Sequence, residues 1–317
     1  MRHLKLIPDD THIPFVRFRY IAVGFSLIII AASIALFFTR GLNFGIDFKG
    51  GIMIEVATDG PADITQLRTT MSGLDLGEVQ IQEFGQADDV LIRIPSPAEG
   101  GEAASQEVVN KVRTALGDQV AEYRRVEVVG PQVSGELVRN GTIAVVLAMV
   151  LMLVYIWFRF EWQFSLGAIV SLVHDVFATI GILSILQIEF NLQMIAAILT
   201  IVGYSMNDTV IVYDRVRENL RKYKKMDLAE LIDLSINQTL SRTVITSGTT
   251  LLALLALFVF GGEVLRGFTF AMIFGILIGT YSSIFIAAPV ILAVGVSRDW
   301  SGNSAGKTAE GKSGAKA

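Results

Sequence analysis

Cysteine is absent from the sequence, which excludes disulfides, Cys-ligated metal and a thiol nucleophile. That absence is compatible with a domain facing an oxidising compartment without requiring one. Charge is scarce too: 18% of the 317 residues are charged, and the formal net charge is -4. Lys and Arg are spread along the chain, so no basic face suited to nucleic acid stands out and nucleic acid is not an expected partner. No H-E-x-x-H occurs, and the strings that fit G-x-x-x-x-G-K-[ST] (Gly306 to Ser313) and G-x-S-x-G (Gly302 to Gly306) fall in the polar tail, with no strand pattern before them and no helix pattern after. Enzyme readings therefore have little footing, and neither cofactor nor metal is expected.

What the chain has in quantity is apolar side chain: 52% of it is hydrophobic and its mean hydropathy is +0.55, which points to a membrane. A spanning helix needs roughly 20 mainly apolar residues. Six stretches qualify, at 20–38, 142–158, 164–186, 192–213, 244–260 and 268–296. Arg2, Lys5, Arg17 and Arg19 precede the first, as in a signal peptide, but it runs on to Phe38 with no A-x-A-type cleavage site. It is therefore expected to stay as an uncleaved signal anchor. Arg159, the run Arg215, Arg217, Arg221, Lys222, Lys224 and Lys225, and Arg298 fall on the same side as that basic N-terminus, whereas the other flanks carry Arg40, Arg139 and Arg266. By the positive-inside rule, residues 1–19 and the C-terminus are expected in the cytoplasm of a multi-pass inner-membrane protein.

This topology leaves 39–140 as one periplasmic insertion. Within it, Ile52, Met53, Ile54 and Val56 predict a strand, 62–73 a helix, and Val79 and Ile81 a strand. Val90, Ile92 and Ile94 predict a strand, 102–117 a helix, and Tyr123, Val126 and Val128 a last strand. The order β-α-β-β-α-β predicts a small α+β, ferredoxin-like domain with two helices on one face of an antiparallel sheet. The 214–243 segment is expected to be a cytoplasmic loop whose amphipathic stretch 227–240 lies on the membrane surface, with the basic run contacting lipid headgroups. The tail 297–317, poor in anything to bury, is expected to be disordered.

Ionisable side chains inside hydrocarbon cost roughly 2.5–3.5 kcal/mol each on insertion scales. His174 and Asp175 fall midway along the third span, Asn207 and Asp208 in the cytoplasmic half of the fourth, and Arg242 at the start of the fifth. Helical spacing lines up Gly167, Ser171, Asp175 and Thr179 on one span, Thr200, Tyr204 and Asp208 on the next, and Arg242, Thr246, Thr249 and Thr250 on the third. Such stripes predict a water-accessible seam. Desolvation favours the neutral form of a buried acid and a guanidinium favours the charged form. An Asp208/Arg242 pair could therefore act as a protonation switch; it could equally be a static tie, with Arg242 snorkelling to phosphates. Asp175 and His174 are open to both a proton-relay and a structural reading. Gly275 and Gly279 form a G-x-x-x-G suited to close helix packing.

Several of these residues carry a resemblance. Gly45-Ile46-Asp47-Phe48-Lys49-Gly50-Gly51 resembles the D-F-x-G-G signature of the SecD/SecF family of the bacterial Sec translocase. Val129-Gly130-Pro131-Gln132-Val133-Ser134 is similar to the family's segment that leads back into the membrane. The string Gly203-Tyr204-Ser205-Met206-Asn207-Asp208-Thr209-Val210, continuing to Asp214-Arg215-Val216-Arg217-Glu218-Asn219, is the most specific match. Ser241-Arg242-Thr243 with Thr246-Ser247 completes the set, alongside His174-Asp175. The size of the insertion resembles the SecF branch. The resemblance implies a six-span subunit that pairs with SecD in a twelve-span unit, joins SecYEG, often with YajC, and uses the proton gradient to draw unfolded polypeptide across the membrane after the SecA-driven phase. It implies that Asp208 is the proton-coupling acid and Arg242 its partner. A proton-driven exporter of small molecules or lipids from the related superfamily is the alternative, although such exporters usually carry twelve spans and two large insertions.

Overall fold

The computed structural model describes residue 8, residues 11–97 and residues 101–296. The expected disordered tail, together with Arg2, Lys5 and Arg298, lies outside the described residues. A 3-10 turn Phe15–Phe18 leads into α1 (Arg19–Thr39). The extramembrane part follows as β1 (Asn43–Phe44), α2 (Ile46–Lys49), β2 (Gly51–Ala57), α3 (Ile64–Ser72), β3 (Gln80–Phe84), β4 (Gln86–Ile94), α4 (Gly101–Leu116) and β5 (Glu122–Val129). The remaining long helices are α5 (Pro131–Arg159), α6 (Trp162–Leu186), α7 (Leu192–Lys222), α8 (Leu228–Phe260) and α9 (Glu263–Ser282). The two-residue strand β6 (Glu189–Phe190) precedes α7. After α9 come a π-helical turn, Ser283–Ala287, and α10 (Ala288–Val294). Pro289 withholds the N–H that would bond the carbonyl of Phe285, and the last span widens into the π turn at that point.

Six of these helical stretches are long and apolar enough to cross a membrane. They fall into two classes. About half of the apolar windows of α6, α7 and α9 is buried by protein (50, 50 and 56%), against 17, 11 and 11% for α1, α5 and α8. The first three form the centre of the bundle, and the others present Leu27, Ile28, Leu147, Leu151, Trp157, Phe158 and Leu252 outward, as lipid-facing surface requires. The G-x-x-x-G packs the centre: a Cβ on Gly275 would fall 2.3 Å from the Ile201 side chain, and one on Gly279 would fall 2.9 Å from Ser205 Cβ. Any side chain at either position would push α9 off α7.

The sheet of the extramembrane part is antiparallel in the order β3-β4-β2-β5. Alternation sends Ile52, Ile54 and Val56 of β2 and Val90, Ile92 and Ile94 of β4 to one face. There they pack with Leu67 and Met71 of α3 and with Val109, Val112 and Leu116 of α4. Asp63 caps α3 by accepting from Gln66 N at 2.9 Å. The opposite face carries Met53, Glu55, Leu91, Arg93, Arg125 and Glu127 and overhangs the ends of the membrane helices across a cleft of about 590 Å³.

Two features depart from the expectations. The segment read as a cytoplasmic loop with a separate surface helix is instead continuous with the fifth span: α8 runs unbroken from Leu228, capped by Asp227, to Phe260. No proline interrupts it, so the fall in hydropathy before residue 244 does not end the helix. Its amphipathic face meets protein rather than lipid. Leu231, Ile232, Ile236 and Leu240 pack with Phe15, Val16, Val216 and Leu220, and Asp233 Oδ1 and Asn237 Oδ1 accept from Val16 N (2.8 Å) and Ile13 N (3.0 Å). The second span likewise begins earlier, at Pro131, with Gly130 as its N-cap residue, because proline is pre-organised for a helix's first turn.

Candidate functional site

Asp175 lies at the middle of α6 with none of its surface exposed. Its Oδ1 is 3.0 Å from His174 Nδ1, and its Oδ2 accepts from Ser205 Oγ of α7 at 2.5 Å and from Ser282 Oγ of α9 at 2.7 Å. Ser171 Oγ donates to Ser282 Oγ at 2.8 Å, and Thr179 Oγ1 bonds the Asp175 carbonyl at 2.8 Å. One carboxylate thus joins the three central helices. His174 Nε2 is buried with no hydrogen-bond partner among the described residues, and its ring lies 6.1 Å from that of Tyr281.

Asp208 is on α7, three residues beyond Ser205 and therefore on nearly the same face. It is 1% exposed, yet neither carboxylate oxygen has a hydrogen-bond partner among the described residues. Ser247 of α8 and Thr280 of α9 face it together with Arg242; the two hydroxyls are 3.0 Å from each other. The expected contact with Arg242 is not an ion pair: among the described residues no N···O distance of 4.0 Å or less joins them, and Arg242 is exposed on α8. Asn207 is exposed too, as are Thr200 and Thr249, so this part of the polar stripe looks out of the chain. Thr243 is buried beside Arg242, and neither its Oγ1 nor Tyr204 Oη has a hydrogen-bond partner among the described residues.

The polar seam therefore includes the sixth span, which the sequence reading left out. Ser282, Thr280 and Tyr281 supply it; the run Thr280-Tyr281-Ser282-Ser283 inside an otherwise apolar stretch was the available signal. The polar end of the α7 motif has a different job. Asp214 pairs with Arg159 at 2.8 Å, Arg215 Nε donates to Gln238 Oε1 at 2.7 Å, and Asn219 Nδ2 donates to Ser235 Oγ at 2.9 Å. These contacts fasten α7 to α8 and to the end of α5.

The glycine-rich motif is elsewhere, where the extramembrane part meets the bundle. Asp47 Oδ2 accepts from Leu192 N at 2.8 Å, and Phe48 packs against Phe44 and Phe190 with ring centroids 6.0 and 5.5 Å away. Gly50 and Gly51 have φ of +72° and +139°, and a Cβ on Gly51 would lie 2.6 Å from the Ile94 carbonyl oxygen; only glycine fits this entry into β2. A Cβ on Gly50 would lie 3.6 Å from Pro131 Cα, so the motif also abuts the Gly130-Pro131 turn that starts α5.

Comparison with known proteins agrees with this layout. The family model for the SecD/SecF C-terminal region of protein export membrane proteins matches residues 108–297, and that for the SecD/SecF GG motif matches 35–62. A protein translocase subunit SecF of Cereibacter sphaeroides is 46% identical over 303 residues, covering 93% of each chain. One from Rickettsia bellii is 46% identical over 288 residues, covering 91% of this chain and 95% of the relative. Among solved structures, SecDF of Thermus thermophilus, titled a translocon-associated membrane protein, matches 90% of this chain with a TM-score of 0.81 and 35% identity. SecDF in a super-membrane-facing form matches 93% with a TM-score of 0.68. The chain spans 39 and 40% of those two proteins. Conserved layout, family models and full-length relatives agree that this chain belongs to the SecD/SecF family of protein export membrane proteins.

Proposed function

We propose that the chain is a SecF-type accessory subunit of the Sec protein translocase which, paired with a SecD subunit, uses the proton motive force to promote late, SecA-independent translocation of unfolded polypeptide across the inner membrane. SecF relatives covering 93% of both chains support this reading over a small-molecule or lipid exporter. The unit works beside SecYEG, SecA and YajC. Both termini are cytoplasmic, and residues 39–140 form a periplasmic, ferredoxin-like βαββαβ domain that handles the emerging chain.

The observation that carries the mechanism is the Asp208 carboxylate, buried among spanning helices with neither oxygen hydrogen-bonded among the described residues. An ionised carboxylate in that position has only the Ser247 and Thr280 hydroxyls and the charge of Arg242 nearby to offset its lost hydration, whereas the neutral acid fits, so exchange with either side moves a proton rather than a static charge. Arg242 acts across the α7/α8 surface, where Asn207 is also exposed; the SecD subunit covers this surface and completes the charge environment. His174 and Asp175 form the second proton-handling group, tied to α7 through Ser205. One proton crossing ~100 mV supplies about 2.3 kcal/mol, enough to bias two arrangements of packed helices.

Asp208→Asn tests this in inverted vesicles carrying the assembled translocase. Proton-dependent export should fall to about a fiftieth, the loss expected if the ~2.3 kcal/mol bias vanishes, while assembly and the ATP-driven phase persist. Full proton-dependent export by this variant would rule the mechanism out.

A further inference from the structure

The periplasmic end of α7 is held from outside its own helix. Asn191, its N-cap residue, accepts from Met194 N at 3.1 Å, but the N–H of Leu192 bonds Asp47, 145 residues earlier in the chain, at 2.8 Å. Around this contact β1 pairs in parallel with β6, Asn43 opposite Glu189 and Phe44 opposite Phe190. Gly45 N donates to Phe190 O at 2.9 Å, and Asn43 Nδ2 donates to Gln187 O at 3.0 Å. Phe44, Phe48 and Phe190 form one aromatic cluster. Arg93 of β4 then reaches across the cleft to make an ion pair with Glu189. Its side chain is 10% exposed and that of Glu189 22%, so solvent screens this pair far less than an exposed one. Gly45 leaves the room: a Cβ there would fall 2.5 Å from Glu189 Oε1.

These contacts run from one rigid element to another. Asp47 lies immediately before β2, the central strand of the four-stranded sheet, and Arg93 lies on its neighbour β4. Both meet the two residues that enter α7, the helix whose next turns carry Ser205 and Asp208. An interior turn of α7 that shifts against α9 carries Leu192 with it, because an α-helix transmits displacement along its axis through its hydrogen-bond ladder, and Glu189 is joined to that first residue by the two-residue link Phe190-Asn191. A charge-assisted hydrogen bond and a half-buried ion pair at the end of the rod keep the sheet from lagging behind.

We propose that Asp47, Arg93 and Glu189 are positioning residues that clamp the βαββαβ domain to the periplasmic end of α7, so that rearrangement at Asp208 is delivered to the domain as motion. This assigns the glycine-rich motif its part: Asp47 supplies the cap, and Gly50-Gly51 let the strand leave at once for the sheet. The proposal rests on the proton-coupled reading above, and its test separates the two.

The cysteine-free sequence allows spin labels to be placed at two exposed sites, Asp118 in the domain and Phe260 at the end of α8. The full chain, co-purified with its SecD partner in nanodiscs, should give a narrow distance distribution that shifts when Asp208→Asn fixes the neutral form. With Asp47→Ala and Glu189→Gln together, the distribution should broaden and its response to Asp208→Asn should be lost, along with proton-dependent export. Asp47→Asn, which keeps an acceptor oxygen, and the exchange Arg93→Glu with Glu189→Arg should each recover the narrow distribution and the response. If Asp47→Ala prevents assembly, Arg93→Gln with Glu189→Gln, which leaves the cap untouched, should still broaden the distribution. An unmoved peak on Asp208→Asn in the wild-type background would overturn the proton-coupled reading, while the clamp would still be judged by the broadening. A clamp variant as narrow and as responsive as wild type would overturn the proposal.

Discussion

Asp175 and Asp208 sit on neighbouring helices, both buried among apolar spans, and their surroundings are opposites. Asp175 receives two serine hydroxyls and a histidine nitrogen from three helices; Asp208 receives nothing within hydrogen-bond geometry among the described residues. A buried acid that is fully bonded holds its neighbours in one arrangement, and removing it strands every donor it served. A buried acid without partners holds nothing and is free to change protonation with the arrangement around it. Burial alone does not tell the two residues apart; partner counting does, separating an acid that ties three helices together from one that is hydrogen-bonded to none among the described residues.

The sharpest way to break the comparison is to delete each carboxylate in turn. Asp175→Ala leaves Ser205, Ser282 and His174 without their acceptor and should destabilise the purified complex by ~3–5 kcal/mol, as when one member of a buried polar pair is removed. Asp208→Asn orphans no donor and should stay within ~1 kcal/mol of wild type despite its loss of proton-dependent export. Thermal unfolding in detergent reads both variants side by side. Equal destabilisation would erase the distinction.

A smaller effect sharpens the comparison through packing. Gly279→Val places carbon against Ser205, whose Cβ is 2.9 Å from the position a Cβ would take. Overpacking of this kind costs ~1–3 kcal/mol. Because Ser205 is one of the Asp175 donors, Gly279→Val and Asp175→Ala should be non-additive, whereas Gly279→Val and Ile54→Ala in the distant sheet core should add. The same unfolding measurement on the double variants checks both statements.

Much of this layout can be read from the sequence, and the parts that cannot share a cause. Six spans are visible because hydrocarbon demands long uninterrupted apolar runs, and Asp175 and Asp208 stand out because charge is rare inside such runs. The sheet strands are visible through alternation at Ile52, Ile54 and Val56 and again at Val90, Ile92 and Ile94. The partners of Asp175 on α9 were missed because serines are ordinary in spans and nothing local says that Ser282 faces α6 rather than lipid. The β1/β6 pair is two residues long on each side, too short for any period to register. The join of the amphipathic stretch to the fifth span was hidden by hydropathy, which falls before residue 244 while helix-forming residues continue. Sequence places Asp208 and Arg242 at the same depth, but rotation about two helix axes decides how close they come: Arg242 is within electrostatic reach of Asp208 without forming an ion pair among the described residues, and it is exposed.

A third acid, partly buried and outside the spanning helices, extends the comparison to a case between the other two. Glu189 has one charged partner, Arg93, and still its carboxyl is raised above the ordinary value of 4.5. Burial is the main cause, Arg93 opposes it, and Asp47 and Glu127 add to the rise. The sign of the consequence follows from linkage. Between 4.5 and the higher folded value the native state holds this proton and the unfolded chain does not, so stability falls as pH rises through that window and levels off above it. Glu189→Gln removes the titration. The stability of wild type relative to Glu189→Gln should therefore decline with increasing pH from about 4.5 upward, measured as the difference in unfolding temperature between the two proteins in the same buffers. A difference that rises with pH would mean that the Arg93 guanidinium outweighs burial at Glu189.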